Sequence, residues 1–166
     1  MTRRSRRDGP FLGFGLGLVG VENGLGSEDG GTGVNFGLGM RDGNMALEVG
    51  LLAAAVPVEG DGDLVQDLSI SGLSADAKLY LPFGKTVEPY ALVGLGLVSL
   101  ESEGDESRGF STALNFGGGV DIRVNRGLAI GGRYTLNGFF FDEAPSTSGG
   151  SATQTFSAMG TVTAYF

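Results

Sequence analysis

The chain has no cysteine, no histidine and no tryptophan in 166 residues. Without cysteine there are no disulfides, no thiolate metal ligands and no thiol nucleophile. Without histidine, the Ser-His and Cys-His hydrolases and ordinary zinc sites are excluded as well. Any catalysis would rest on carboxylates, lysine or tyrosine, and the expectation is a protein that is not an enzyme and carries no cofactor. Long apolar runs are also missing. The longest candidate, "LEVGLLAAAVPV", has 12 residues and includes Glu48 and Pro57, whereas a transmembrane helix needs about 18 or more apolar residues. The net charge of −8 leaves nothing to neutralise phosphates except one short basic run, so nucleic acid is not expected as a partner.

What is abundant is glycine, the commonest residue at 32, with a mean hydropathy of +0.12. The glycines sit inside alternating segments. In "FLGFGLGLVGV" (11–21), Leu12, Phe14, Leu16 and Leu18 share one parity and Gly13, Gly15 and Gly17 the other. That is the two-residue period of a strand. "GLGLVG" (15–20) matches G-x-G-x-x-G, but a Gly-rich acidic loop follows where that fingerprint needs a helix. The arginine-rich start imitates a signal peptide, yet it lacks a small-x-small cleavage site and its apolar stretch alternates with glycine. The expectation is a basic, disordered tail over 1–10, a natural signal already removed, and one domain over 11–166.

Turn signals at regular intervals predict eight strands, near 11–21, 32–40, 45–56, 68–81, 88–100, 110–124, 128–138 and 153–166. Short connections (41–44, 82–88, 125–127) alternate with long ones (22–31, 57–67, 101–109, 138–152), which puts short turns at one end of an up-and-down meander and long loops at the other. Parity assigns large apolar residues to one face and Gly, Ser, Thr and Asn to the second. Only Glu48, Asp76, Lys78, Asp121, Arg123 and Arg133 carry charge within the predicted strands. Six charges that sum to zero cannot wet the outside of a soluble barrel, but they can pair in a narrow lumen. The small polar face therefore points inward and the bulky face meets lipid. The fold class predicted is all-β, an eight-stranded antiparallel up-and-down transmembrane β-barrel with short periplasmic turns and longer extracellular loops.

Aromatics near both ends are expected to form interfacial girdles: Phe11, Tyr80, Phe83, Tyr90, Tyr165 and Phe166 at the short-turn end, Phe110, Phe139, Phe140 and Phe141 at the other. The six lumen charges are expected to form one network, structural or a gate. The long loops hold 13 of the 19 acidic residues and one basic residue, Arg108. Among them Glu59, Asp61 and Asp63 have the alternate spacing that opens a calcium loop but no acidic residue at the twelfth position, a weak divalent-cation site at best. Arg3, Arg4, Arg6 and Arg7 make either a polybasic contact with anionic lipid or a solubilising tail.

The segments "AKLYLPFG", "EPYALVGLGL", "NFGGGVDIRV" and the final "TFSAMGTVTAYF" resemble the small eight-stranded bacterial outer-membrane β-barrels, the OmpA/OmpX-like class, over 11–166. The resemblance implies residence in the outer membrane, contact with its lipid and lipopolysaccharide, and recognition by the outer-membrane assembly machinery through a terminal aromatic with apolar residues at alternate positions, here Val162, Ala164 and Phe166. It does not imply one function, since the class holds anchors, adhesins, small-solute pores and lipid-modifying enzymes. The expected role is structural or adhesive, with a lumen plugged by ion pairs. The alternative is a narrow pore for small solutes or small apolar molecules.

Overall fold

In the computed structural model, residues 8–23, 28–59, 65–81, 86–102, 109–139, 146–147 and 150–166 are described. Eight long strands make the wall: β1 (Gly9–Asn23), β2 (Glu28–Asp42), β3 (Met45–Glu59), β4 (Val65–Tyr80), β5 (Val87–Ser102), β6 (Gly109–Arg123), β7 (Leu128–Phe139) and β9 (Gly150–Tyr165). A two-residue strand, β8 (Ser146–Thr147), pairs with the start of β9. Each long strand is antiparallel to its neighbour, and β9 pairs with both β7 and β1, closing the sheet. Closure leaves no row of unpaired amides and carbonyls, the condition for placing strands in hydrocarbon.

Most of the wall strands run 15 or 16 residues, beyond the about 9–11 that a tilted strand needs to cross hydrocarbon. The excess lies at the loop end, because register there continues past the apolar belt: Glu22 pairs with Glu28, Glu59 with Val65 and Leu68 with Ser102. The stretches expected as long loops are thus partly ladder, since backbone pairing does not require apolar side chains. At the other end, "DGNM" turns with Gly43 at φ +58°, a left-handed conformation suited to glycine in a two-residue hairpin connection. The Gly43 amide donates to Asp8 Oδ1 at 2.8 Å, and Arg41 Nε donates to the Gly43 carbonyl at 3.0 Å, which ties the segment entering β1 to this turn.

The two faces separate by parity. Phe14, Leu16 and Leu18 on β1, Phe36 and Leu38 on β2, Leu47, Val49 and Leu51 on β3, Leu95 and Leu97 on β5, and Ile130 and Leu136 on β7 are all exposed on the outside. A belt this continuous exceeds by far any patch a soluble monomer presents to water. It is the lipid-facing surface.

Two details of the faces differ from expectation. Phe11, Tyr80 and Tyr90 are 1%, 3% and 5% exposed, so they fill the lumen instead of forming a girdle. With Ala46 and Leu92 they make an inner apolar cluster, against which Tyr165 packs. They share parity with inward glycines, as with Phe11 and Gly13, and that local signal is stronger than their nearness to a strand end. The inner face also carries a second apolar cluster nearer the loops: Val19, Val21, Val56, Ile70, Val98, Ala113 and Met159. Phe166 is exposed as the girdle reading requires. Phe83, Phe140 and Phe141, and the side chains of Phe110 and Phe139, lie outside the described residues.

Candidate functional site: the charged lumen

Four of the six predicted charges meet in the lumen, on the short-turn half of β3 and β4. Glu48 on β3 pairs directly with Asp76 on β4 in the ladder, and Lys78 lies one inward position further along β4. Arg133 arrives from β7, across the barrel. Lys78 Nζ donates to Glu48 Oε2 at 2.6 Å, Arg133 Nη1 to Glu48 Oε1 at 2.6 Å, and Arg133 Nη2 to Asp76 Oδ2 at 2.7 Å. Asp76 is further held by Asn115 Nδ2 at 3.0 Å and Ser74 Oγ at 2.9 Å. These are short, charge-assisted bonds, and one guanidinium forks across two carboxylates. Two anions and two cations close the group at zero charge, as burial demands.

Asp121 accepts from the Tyr80 hydroxyl at 3.1 Å and, at a long 3.5 Å, from the Tyr165 hydroxyl. It shares the lining of a small cavity with Glu48, Lys78 and Arg133. Arg123 lies nearer the short-turn mouth, 3.5 Å from Glu88, whose second oxygen takes Arg41 Nη1 at 3.0 Å. The Arg41 guanidinium also stacks 3.7 Å over the Tyr80 ring. The short connections read from the sequence, 41–44 and 82–88, include Arg41 and Glu88, whereas the structure buries both in the lumen. The missed signal was parity, since Arg41 continues the inward series Gly37, Gly39, and Glu88 the series ending in Tyr90.

Inward glycines make the room for these side chains. A Cβ on Gly37 would lie 2.8 Å from Glu48 Cδ, and one on Gly94, the ladder partner of Asp76, would overlap the Asp76 carboxylate. Gly94→Val is therefore expected to destabilise by roughly 1–3 kcal/mol through overpacking, read as a lowered urea midpoint for the loss of the fast-migrating folded band on unheated gels.

Little space remains. A cavity of about 50 Å³ lies on the loop side of Arg133, lined by Asn35, Ser74, Asn115, Thr135, Asn137 and Ser157 among others. The cavity shared by Asp121 and Glu48, on the turn side, is about 10 Å³. The first holds a few waters and the second no more than one. Asn115 Oδ1 and Thr161 Oγ1 are buried and have no hydrogen-bond partner among the described residues.

Val162 and Phe166 are exposed on the outer side of the barrel at the end of β9. Glu59 ends β3, while its side chain and Asp61 and Asp63 lie outside the described residues. Among the described residues no group of three or more His, Cys, Asp or Glu side chains could hold a metal.

The closed meander, the outward apolar belt and the charged lumen agree with the chain's match to the family model "Outer membrane protein beta-barrel domain" over residues 3–160. The chain belongs to this family. Its members, and the solved structures this chain is similar to, are bacterial outer-membrane proteins. Neisserial surface protein A is 16% identical, with 99% of each chain covered and a TM-score of 0.70. Ail, the attachment invasion locus protein of Yersinia pestis, in complex with the heparin analogue sucrose octasulfate, is 16% identical over 96% of this chain and 99% of its own, with a TM-score of 0.61. The N-terminal β-barrel domain of Pseudomonas aeruginosa OprF is 14% identical over 96% and 98%, with a TM-score of 0.55. Identities this low establish the shared fold alone. No curated protein sequence matches the chain.

Proposed function

We propose that the chain is a non-enzymatic barrel of the outer membrane, closed to solutes by its lumen ion pairs, whose role is to stabilise the envelope or to present its loops for adhesion. The observation that carries this reading is the filled lumen: Arg133, held by Glu48 and Asp76, stands between spaces of about 50 Å³ and 10 Å³. Neither space admits more than water. In planar bilayers the purified protein is expected to give no steady ohmic openings. Stable openings in the wild type would favour the narrow-pore reading, whose support is that Asn35 and Arg133 line both spaces, so that movement of one side chain would join them.

The outward contacts follow from charge. The loop-end segments hold 13 carboxylates against Arg108 alone, a field that repels polyanions and concentrates cations. A sulfated saccharide of the kind bound to Ail is thus a poor ligand here. Divalent cations bridging loop carboxylates to the phosphates of lipopolysaccharide fit better, with Glu59, Asp61 and Asp63 among the carboxylates available. Insertion through assembly machinery that reads Val162, Ala164 and Phe166 completes this proposal. The expected result is negligible retention on immobilised heparin at physiological salt, and retention comparable to Ail's would overturn the charge argument.

A further inference from the structure

β9 and β1 are neighbours in the wall with no turn to join them, since they are the last strand and the first. In a hairpin, turn type and loop length set the register, but at this seam side chains must do so. Hydropathy excludes a slip of one residue, because that would turn every lipid-facing side chain of the strand into the lumen. A slip of two keeps both faces. Parity therefore says nothing against it.

The lipid-facing column of the seam matches large with small. Leu16 is paired with Gly160 and Leu18 with Ala158, the large member on β1 and the small one on β9. At the next outward pair, Gly20 with Phe156, the sense reverses. Gly20 is buried although its parity points to lipid, because the half-buried Phe156 ring lies across it, and a Cβ on Gly20 would overlap that ring. The notch belongs to this position. A Cβ on Gly160, on the same face of the same seam, would meet nothing nearer than the Leu16 carbonyl oxygen at 3.8 Å. A ring laid over a cross-strand glycine pins register in a sheet. Sliding β9 by two residues would set Phe156 opposite Leu18 or Glu22. In the first case the ring meets a leucine, and in the second Gly20 faces Ala158 and leaves a gap.

We infer that the Gly20–Phe156 pair is a clasp that selects the register in which the barrel closes, the ring seating in the glycine notch only at the present alignment of β9 on β1. The stagger of the closed wall follows from that alignment. The clasp thereby also decides which charges meet in the lumen. This inference does not depend on whether the lumen conducts or what the loops bind.

The test uses the full chain, refolded from urea into lipid vesicles. The chain has no cysteine of its own, so an introduced pair reports register directly. Val19 and Ser157 are paired on the inner face, and Val19→Cys with Ser157→Cys should oxidise to a disulfide when the seam is otherwise wild type. Val21→Cys with Ser157→Cys is two residues off and should not, because diagonal neighbours lie too far apart for the bond. Gly20→Phe fills the notch. It should slow the appearance of the fast-migrating folded band at least fivefold and raise cross-linking of the offset pair at least threefold. Adding Phe156→Gly to Gly20→Phe exchanges the two sides of the clasp, and should restore folding to within twofold of wild type and return the cross-link to the Val19 and Ser157 positions. Gly160→Ala, which adds a methyl to the same seam in open space, should fold at the wild-type rate. Wild-type kinetics in Gly20→Phe, or an unchanged cross-linking pattern in it, overturns the inference. Failure of the exchange to restore both readouts overturns it as well, since the cost would then belong to position 20 alone, and the exchange decides even where Gly20→Phe by itself gives no folded band.

Discussion

Replacing Arg133 with methionine is expected to cost ~3–5 kcal/mol of folding free energy, the loss typical when one partner is removed from a buried ion pair. The size follows from what would be left behind. Glu48 would keep Lys78, but Asp76 would keep only the neutral donors Ser74 and Asn115, so the centre would carry an uncompensated negative charge with no more than a few waters to screen it. Methionine replaces the aliphatic stem of arginine and isolates the loss of charge. Removing the whole group should cost much less: Glu48→Gln, Asp76→Asn, Lys78→Met and Arg133→Met together leave none of the four charges of this centre, and such neutral replacements are often tolerated. Urea unfolding in lipid vesicles, followed by the gel shift on unheated samples, measures both variants. If the single variant is as stable as wild type, the ion pairs do not hold the lumen together. If the fourfold variant is no better than the single one, the cost lies in packing and not in charge. Bilayer recordings on the same proteins give a separate reading, because a conducting Arg133→Met would show that this side chain closes a path.

The second large effect is expected on the opposite face of the wall. Val93 is 47% exposed near the centre of the β5 apolar run between Val87 and Leu97. Val93→Arg should cost ~2–4 kcal/mol in a bilayer, the penalty for a cation at the midplane of a barrel's lipid face. The same substitution on a water-exposed strand would fall within about 0.5 kcal/mol. Val87→Arg, nearer the edge of the belt, should cost at most about 1 kcal/mol. Urea titrations of all three proteins in vesicles of one lipid check the gradient. A flat profile would mean that this face does not sit in hydrocarbon, and the reading of the barrel as a membrane protein would be lost with it.

The chain shows how far alternation can be read. Leu12, Phe14, Leu16 and Leu18 stand opposite in parity to Gly13, Gly15 and Gly17, and in the structure the first set lies toward the lipid and the second on the lumen side. Parity survives folding because successive side chains of any strand leave on opposite sides. Strand ends were less legible. β2 begins at Glu28, not near Thr32, because polar and glycine residues pair in a ladder without announcing it by hydropathy. Phe11, Tyr80 and Tyr90 show a rule applied in the wrong place: aromatics near strand ends suggested a girdle, but their parity already pointed inward, and Arg41 and Glu88 were overlooked for the same reason.

Parity, charge placement and composition were thus enough to determine the central part of each strand, the two faces, the membrane setting and six of the charges on the inner face, Arg41 and Glu88 excepted, since each is a property of neighbouring residues on one strand. The partners of those charges were decided only by tertiary structure. Arg133 and Glu48 are 85 residues apart, and their meeting depends on the stagger by which β9 closes on β1, which displaces each strand along its neighbours. The same stagger brings Arg41 to Glu88. No pattern within a single strand encodes that displacement, because it is a property of the closed cylinder.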